Sequence, residues 1–581
     1  MSIFGVRTGL CLAFCVLAGA NNLSRAEDQL AMSARKGTMQ SIRIETEGNG
    51  IPAVLPSMLG VRISERCPVE VNTGGTPDLV IALTYDSRIG NEGFRIEDAG
   101  PGHIRIAGDG NLGLLAGIGR FLRESRYGQD GFEPGAWRGT SIPEKPVRGI
   151  YFASHFYNYY QEAPLAEVER YVEDLGLWGF NTLHVWFDMH HFKGIQDPAA
   201  QSMLARLRVL HSAARRIGMR IGLCVLGNEA YADSPPELRA EINELWAFGV
   251  ELCPAKPGAA DLMLKWFDEE FQAFADLKLD SLSIGPYDQG GCTCEKCRPW
   301  GGNGFLDMAR KIAQVFRNHS PHGKVILVTW LFDHEHHRFK GDWAGLAQRL
   351  AGDSSWADYI LAGTHDQRLP AYLQSNPVPG GLPLVGFPEI SMRGMCPWGG
   401  FGANPMPRHL AQLWAEWGGR VEGGFPYSEG LYEDMNKAIM AQLYWRGQAP
   451  EETLRQYIAY EFGPPVEEDV LKAIHILEAN QHRVWEGGDF KFPHTRLILP
   501  PDSGAAAAKA LLQGVDTALP ESARRGWRWQ VLLLRALIDD ELFRNNGVVT
   551  PACEPYFEEL TRLYHAEKAE FLVHPPVSRV R

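Results

Sequence analysis

The spacing of hydrophobic and polar positions changes twice along the chain. In the first part, SIRIET (41–46), DLVIALTY (78–85), GFRIED (93–98) and HIRIAG (103–108) alternate apolar and polar residues and are rich in β-branched side chains. Period-two alternation bounded by Gly/Asp/Asn clusters predicts half-buried strands joined by turns. NLGLLAGIGRFLRES (111–125) then shifts to helical spacing, with Leu114, Ile118 and Phe121 on one face. These elements predict a small α/β domain of about four strands. Between the last strand and the helix, Gly108-Asp109-Gly110-Asn111-Leu112-Gly113 matches GxGxxG. A dinucleotide site also needs a second strand with an acidic residue about 20 positions on. YGQDGFEPGAW (127–137) follows instead, so the glycines are read as a tight strand-to-helix turn.

From residue 147 the pattern becomes strand, loop, helix, repeated. Apolar strands begin in VRGIYFASHF (147–156), NTLHVWFDMHH (181–191), RIGLCVLGNEAY (220–231) and DSLSIGPYDQ (280–289). Four more follow in KVILVTWLFDHEHH (324–337), DYILAGTHDQ (358–367), LPLVGFPEIS (382–391) and RVEGGFPYSEG (420–430). Helical patterns separate most of them, including AEVERYVEDLGLWG (166–179), MLARLRVLHSAARRIG (203–218), ELRAEINELWAFG (237–249) and LMLKWFDEEFQAFADL (262–277). Eight such units in series predict a (β/α)8 TIM barrel, an α/β fold. The remainder is mostly helical, with breaks at FGPP and FPHTRLILPPDSG. The expected organisation is a leader at 1–26, a small α/β domain at 41–135, the barrel at 145–440 and a helical C-terminal domain at 441–581.

Charge and the N-terminus narrow the function classes. A formal charge of -13 over 581 residues argues against nucleic acid as a partner. MSIFGVR, the apolar GLCLAFCVLAGA and the small-x-small Ala18-Gly19-Ala20 form a secretory signal pattern, with cleavage after Ala26 as a second position. Phe14 disfavours a lipoprotein site at Cys15. No other run is long and apolar enough for a membrane helix. The expected location is secreted or periplasmic, with no membrane attachment after cleavage.

In such barrels the active site is built where the strands end. Here those ends carry His155 and Asn158; Asp188, His190 and His191; Asn228 and Glu229; Tyr287 and Asp288. The later strands deliver Asp333, His334 and Glu335; His365 and Asp366; Glu389; and Tyr427 with Glu429. Aromatic residues accompany them: Tyr151, Phe156, Tyr157, Trp186, Trp330, Trp398 and Tyr427. Aromatic faces pack on the apolar faces of sugar rings, while carboxylates and histidines hydrogen-bond hydroxyls. Paired carboxylates suit glycoside hydrolysis, one protonating the leaving oxygen and the other attacking or activating water. Asp288, Glu389 and Glu429 are the catalytic candidates. His155, Asp188, His190, Glu229, Tyr287, Trp330, His365, Asp366, Trp398 and Tyr427 are the substrate-binding candidates. No cofactor is expected. His334-Glu335-His336-His337 lacks zincin spacing, since no His follows Glu335 by three.

GDGNLGLLAGIGRFLR, PVRGIYFASHFYNYY, VERYVEDLGLWGFNTLHVWFDMHHF, YDQGGCTCEKC and YSEGLYEDMNK together resemble secreted bacterial glycosidase-like barrel proteins of the α-glucuronidase and β-N-acetylhexosaminidase superfamily. The resemblance implies a small α/β domain before a (β/α)8 barrel, often with a helical C-terminal region, and a carbohydrate substrate. Hexosaminidases carry an Asp-Glu pair after the fourth strand; here that position reads Tyr287-Asp288-Gln289, with one carboxylate. In an α-glucuronidase-like reading Asp288 with Glu389 or Glu429 would act, and Arg393 or Lys193 would meet a uronic acid. The alternative function is a carbohydrate-binding barrel without turnover.

Cys292, Cys294 and Cys297 lie in the loop after the fourth strand, and Cys253 after the third is a plausible fourth. Four thiolates suit structural zinc. In an exported protein two disulfides are at least as well supported, and free buried thiols are the third reading. Zinc or disulfides would clamp a glycine-rich loop and fix Asp288.

Overall fold

The structure, a computed structural model, describes residues 38–568 apart from 156–157, 243–247, 364–367, 392–400, 482–483, 487–495 and 549. The expected leader and the candidates His365, Asp366 and Trp398 lie outside the described residues, as do Phe156, Tyr157 and Arg393.

The first sheet contains β1 (Ser41–Glu47), β2 (Glu70–Val71), β3 (Leu79–Tyr85), β4 (Phe94–Gly100) and β5 (His103–Gly108). A short hairpin, β6 (Arg126–Gly128) and β7 (Gly131–Glu133), precedes its last member, β8 (Gly139–Ser141). The order is β2-β1-β3-β5-β4-β8, so the sheet has six strands where alternation predicts about four. The extra two are two and three residues long, too short for a period to show. Helix Val54–Ser64 also has no counterpart in the sequence pattern; it buries Leu55, Met58, Leu59, Arg62 and Ile63, leaving little of the polar stripe that marks a surface helix.

The GxGxxG segment is a packing device. Gly108 ends β5, and a Cβ there would lie 2.2 Å from the Leu114 nitrogen. In helix Asn111–Glu124, a Cβ on Gly117 would meet the Ile106 side chain at 2.8 Å and one on Gly119 would meet the Leu177 carbonyl at 1.8 Å. The glycines let this helix sit close to the sheet on one side and to a barrel helix on the other.

The barrel is closed by eight parallel positions. β9 (Val147–Phe152), β10 (Thr182–Trp186), β11 (Arg220–Leu226), β12 (Ser281–Gly285), β13 (Lys324–Val328), β14 (Tyr359–Gly363) and β15 (Leu384–Phe387) run in sequence. The eighth position is split into β16 (Gly423–Gly424) and β17 (Tyr427–Ser428), both paired with β9. β9 also pairs with β10, completing the ring. The outer helices form by ordinary amphipathic logic: Leu165–Trp178 buries Val168, Tyr171, Val172 and Leu175, and stops at Gly179 in the left-handed region (φ 111°). The interior is filled by Tyr151, Trp186, Leu226, Ile326, Val328, Leu361, Val385 and Phe425.

One helical expectation fails. At the start of the 237–249 segment Pro236–Leu238 forms a single 3-10 turn, and the Arg239 and Ile242 backbones bridge to Leu252 and Cys292 instead of continuing a helix. Residues 243–247 of the segment lie outside the described residues. The helix that follows β11 is Ala259–Ala273.

The bottom of the barrel is tied to the first sheet by Glu92. It accepts from Arg148 at 2.7 Å, Arg220 at 2.5 Å and Asn181 at 3.0 Å. Burial opposes ionisation, but Arg148 and Arg220 bring the Glu92 carboxyl down from 4.5 to about 2. A lowered folded value contributes stability above the unfolded value that is lost as pH falls through the folded one. Stability is therefore expected to drop between pH 4.5 and about 2, and Glu92→Gln should flatten that slope by on the order of 2–3 kcal/mol, read from urea midpoints across the range.

C-terminal helices, including Asp434–Arg446, Pro450–Glu461, Glu467–Ala479, Trp527–Arg544 and Glu554–Tyr564, pack on the barrel side that carries β16 and β17. Asp434–Arg446 is buried on every side, with the charged Lys437 among its buried residues.

Candidate active site

The ends of β15, β17 and β9 assemble one acidic cluster. Glu389 follows β15, is 8% exposed, and accepts from the Ser391 amide at 2.6 Å. Glu429 follows β17 and is 1% exposed; Tyr427 donates its hydroxyl to it at 2.8 Å, and the Ser391 hydroxyl lies 3.4 Å away. The Tyr427 hydroxyl is also 3.3 Å from His155 Nε2, beyond the end of β9. Burial pushes the Glu429 carboxyl up to about 8, Tyr427 opposes this, and the neighbouring Glu389 and Glu433 add to it. At neutral pH Glu429 holds its proton. Burial lowers the His155 imidazole to about 4, so His155 is neutral.

The backbone carrying these groups is held from behind. One oxygen of the fully buried Glu433 accepts from the Ser428 hydroxyl at 2.6 Å and from the Glu429 and Gly430 amides at 2.8 Å each. Lys437 Nζ lies 3.5 Å from the same oxygen and donates to the Tyr171 hydroxyl at 2.7 Å. Tyr564, from helix Glu554–Tyr564, donates to the Glu429 carbonyl at 2.6 Å. Asn436 donates to the Ile390 carbonyl at 3.0 Å, bracing the tip of β15.

Asp288 stands beyond β12. Trp330, beyond β13, donates its indole N–H to Asp288 Oδ1 at 2.7 Å, and His337 Nε2 donates to the Asp288 carbonyl at 2.9 Å. Burial raises the Asp288 carboxyl above its ordinary value, while Trp330 and His334 pull the other way. Gly290 and Gly291 follow with φ of 72° and 79°. A Cβ on Gly291 would come within 2.1 Å of the Trp300 ring, so the loop runs flat against that indole. Aromatic rings connect Asp288 to the acidic cluster: Trp330 meets Phe387 edge-on at 5.7 Å, and Phe387 meets Tyr427 at 5.8 Å.

The third group comes from β10 and β11. Asp188 has a left-handed backbone (φ 54°) that presents its carboxylate to His190 at 2.8 Å and His191 at 3.1 Å. Burial works against its charge, but the two histidines hold it well below the usual carboxylate range. Burial likewise works against a charged His190, and Asp188 more than offsets this, leaving the imidazole above its ordinary value. The His190 ring stacks on Phe248 with centroids 4.3 Å apart, and its Nε2 lies 3.7 Å from Glu251. Glu229 is occupied by three donors, the Trp186 indole and the Met189 and Leu226 amides, at 2.9–3.0 Å. Burial brings it up to about 7, with His190 opposing and Asp188 reinforcing. Tyr287 packs beside this group, 5.0 Å from Phe248.

The sequence-derived candidates within the described residues thus fall into three neighbouring sets rather than one. His155, Tyr427 and Glu429 share hydrogen bonds and Ser391 links Glu389 to Glu429; Asp288 pairs with Trp330; Asp188, His190, Glu229 and Tyr287 line the β10–β11 side. Asp333 is used differently, its carboxylate capping helix Asp342–Leu350 by accepting from the Gly341, Asp342 and Trp343 amides. Of the strand-five histidines, His337 reaches the Asp288 backbone. Lys193, considered for a uronic acid, lines a separate hollow with Gln196, Trp266 and Glu269. Glu433, Lys437, His337, Glu251 and Tyr564 join the site without having been candidates on sequence grounds. For Glu433 and Lys437, opposite charges spaced i, i+4 at the start of a helix are the available signal.

Two sets among the described residues present metal-ligand atoms within 4.8 Å of one another: Cys253, Cys292, Cys294 and Cys297, and Asp188, His190 and Glu229. In the second set His190 Nδ1 pairs with Asp188 and Glu229 takes three donors, while the buried His190 Nε2 has no partner within hydrogen-bond distance. In the first set the Cys253 sulfur reaches the Cys294 and Cys297 sulfurs at 3.7 and 3.9 Å.

No family model matches the chain, and no curated protein sequence does. Solved structures do match in fold. A family GH115 4-O-methyl-α-glucuronidase with specificity for decorated arabinogalactans superposes with a TM-score of 0.62 at 10% identity, over 94% of this chain and 81% of that one. A family 89 glycoside hydrolase from Clostridium perfringens in complex with 2-acetamido-1,2-dideoxynojirimycin gives 0.57 at 13% identity, over 83% of this chain; the chain spans 62% of that enzyme. A GH138 enzyme targeting pectin rhamnogalacturonan II gives 0.54 at 11% identity, over 90% and 74%. The fold is a glycoside-hydrolase-like (β/α)8 barrel with a preceding sheet and following helices.

Proposed function

We propose that the chain is a glycoside hydrolase working through two carboxylates at the mouth of the barrel, with Asp288 as general acid and Glu389 as base or nucleophile. The observation that carries this reading is the contrast between the two sides of the mouth. Asp288, at the end of the fourth strand, has a raised carboxyl anchored by the Trp330 indole, which favours a proton available for a leaving oxygen. Three strands further on, Glu389 takes an amide N–H and lies beside Glu429, which keeps its own proton at neutral pH. With Glu429 neutral, the cluster does not place two like charges side by side. Carboxylates on opposite flanks of a sugar are what hydrolysis of a glycosidic bond requires. The half-buried rings of Trp330, Phe387 and Tyr427 between them supply apolar faces for the sugar.

A single carboxylate after the fourth strand favours direct attack over acetamido-assisted chemistry, so α-glucuronides are the first substrates to test. Incubation with aryl and oligosaccharide α-glucuronides, alongside N-acetylhexosaminides, should release free sugar from one set. Retention of glycans on the immobilised protein with no product from any of them would instead support a binding barrel and sink the hydrolase reading.

A pH dependence follows. As pH rises through about 8, Glu429 ionises beside Glu389 and Tyr427, placing a second negative charge in the cluster. The rate should fall along an alkaline limb near pH 8, and in Glu429→Gln that limb should move or vanish while the acid limb stays. An unchanged alkaline limb in that variant would exclude Glu429 as its source.

A further inference from the structure

We infer that Cys253, Cys292, Cys294 and Cys297 form a tetrathiolate site for one structural zinc ion, which locks the loops following β11 and β12 together. The sulfurs converge although Cys253 and Cys294 are 41 positions apart in the chain. Cys253 Sγ lies 3.7 Å from Cys294 Sγ and 3.9 Å from Cys297 Sγ, and all four sulfurs fall within 4.8 Å of one another. A zinc ion with four Zn–S bonds of about 2.3 Å needs S···S edges of about 3.8 Å. Two disulfides would instead group the sulfurs two by two at about 2.05 Å. Cys253 is nearly equidistant from two partners, which fits a vertex of a tetrahedron and not one end of a covalent pair.

The surroundings suit thiolates. The Cys294 amide N–H is directed at the Cys292 sulfur and the Ala255 amide at the Cys253 sulfur, each two residues along the chain. Such donors are the outer support that metal-bound thiolates use. Cys294 and Cys297 form a compact turn, with the Cys297 and Arg298 amides both donating to the Cys294 carbonyl at 3.0 and 3.1 Å. Cys253, Cys292 and Cys297 are each 1% exposed. All four ligand positions are filled by sulfur, leaving none for water or substrate, so the ion is structural and takes no part in bond cleavage. Soft thiolates in tetrahedral array select zinc or iron among the common metals, and a closed mononuclear site with no redox partner among the described residues nearby fits zinc.

The location gives the ion its role. Cys253 closes the segment that starts at Arg239 and carries Phe248 and Glu251 to His190. Cys292 lies four residues beyond Asp288 and pairs with Ile242 of that same segment. One ion therefore positions both the His190 side and the Asp288 side of the mouth. The site holds whether or not the chain hydrolyses glycans, because its evidence is independent of Asp288 and Glu389.

The test uses the full chain purified without chelator. Elemental analysis should give about one zinc per chain, and titration with an organomercurial in the presence of a chromogenic chelator should release it as four thiols react. Cobalt-substituted protein should show the intense visible bands of a tetrahedral thiolate site. Cys297→Ser should lose most of the metal and melt at lower temperature, while Cys67→Ser, outside the cluster, should keep one zinc per chain. If Cys297→Ser fails to fold, the wild-type thiol and metal counts still decide. Four cysteines that resist alkylation until reduced, four free thiols without stoichiometric metal, or a red iron-loaded chain would each overturn the assignment.

Discussion

Asp288→Asn should lower kcat on a glycoside with a poor leaving group by about 10²–10⁴-fold, while leaving circular dichroism and melting temperature near those of the parent. The reason is specific to the role: an amide cannot deliver the proton that the departing oxygen needs. Aryl glycosides with acidic leaving groups need little protonation, so the same variant should retain much more of its activity on them. Glu389→Gln should be impaired on both kinds of substrate, because attack on the sugar is lost whatever departs. A leaving-group series measured on both variants separates the two roles. Equal losses across the series for Asp288→Asn would remove it from the acid position, and turnover surviving both substitutions would remove the pair from the chemistry altogether.

The largest expected effect on stability comes from Glu433→Ala. That change strands the buried Lys437 next to the hole it leaves and takes the acceptor from the Ser428 hydroxyl and the Glu429 and Gly430 amides. Removing one partner of a buried ion pair costs about 3–5 kcal/mol. The loss should be visible as a lower chemical-unfolding midpoint and as failure of the β17 loop to present Glu429. Glu433→Gln also strands Lys437 but retains an oxygen for the three donors, so it should be less destabilised than Glu433→Ala by the hydrogen-bond part alone. Equal effects of Ala and Gln would mean that the charge, and not the loop hydrogen bonds, dominates.

The barrel is legible because each strand is a continuous apolar run and most are followed by helical spacing. The strand ends inherit that legibility: once the strands are placed, the residues after them, from His155 to Glu429, must stand at one mouth. Strands β2 and β8, with two and three residues, carry no period to read. The segment at 237–249 misleads because its apolar spacing is helical, while the backbones of Arg239 and Ile242 are taken by bridges to Leu252 and Cys292. Division of the mouth into three sets is also hidden. It depends on which side chains reach each other across strands, as when Trp330 meets Asp288 or Tyr427 meets both His155 and Glu429. Glu433 sits four residues from Glu429 within YSEGLYEDMNK, yet only the folded loop shows that one of these carboxylates faces the mouth and the other shapes the backbone beneath it.

The hydrogen bond from Tyr564 to the Glu429 carbonyl spans 135 positions in the chain, and a Cβ on Gly430 would strike the same hydroxyl at 2.1 Å. The eighth-strand loop is thus braced from two directions, by Glu433 beneath it and by Tyr564 on helix Glu554–Tyr564 from the C-terminal part of the chain. The far end of the chain is therefore part of the wall of the mouth, and a chain truncated before helix Glu554–Tyr564 is expected to lose one of the two braces that seat Glu429.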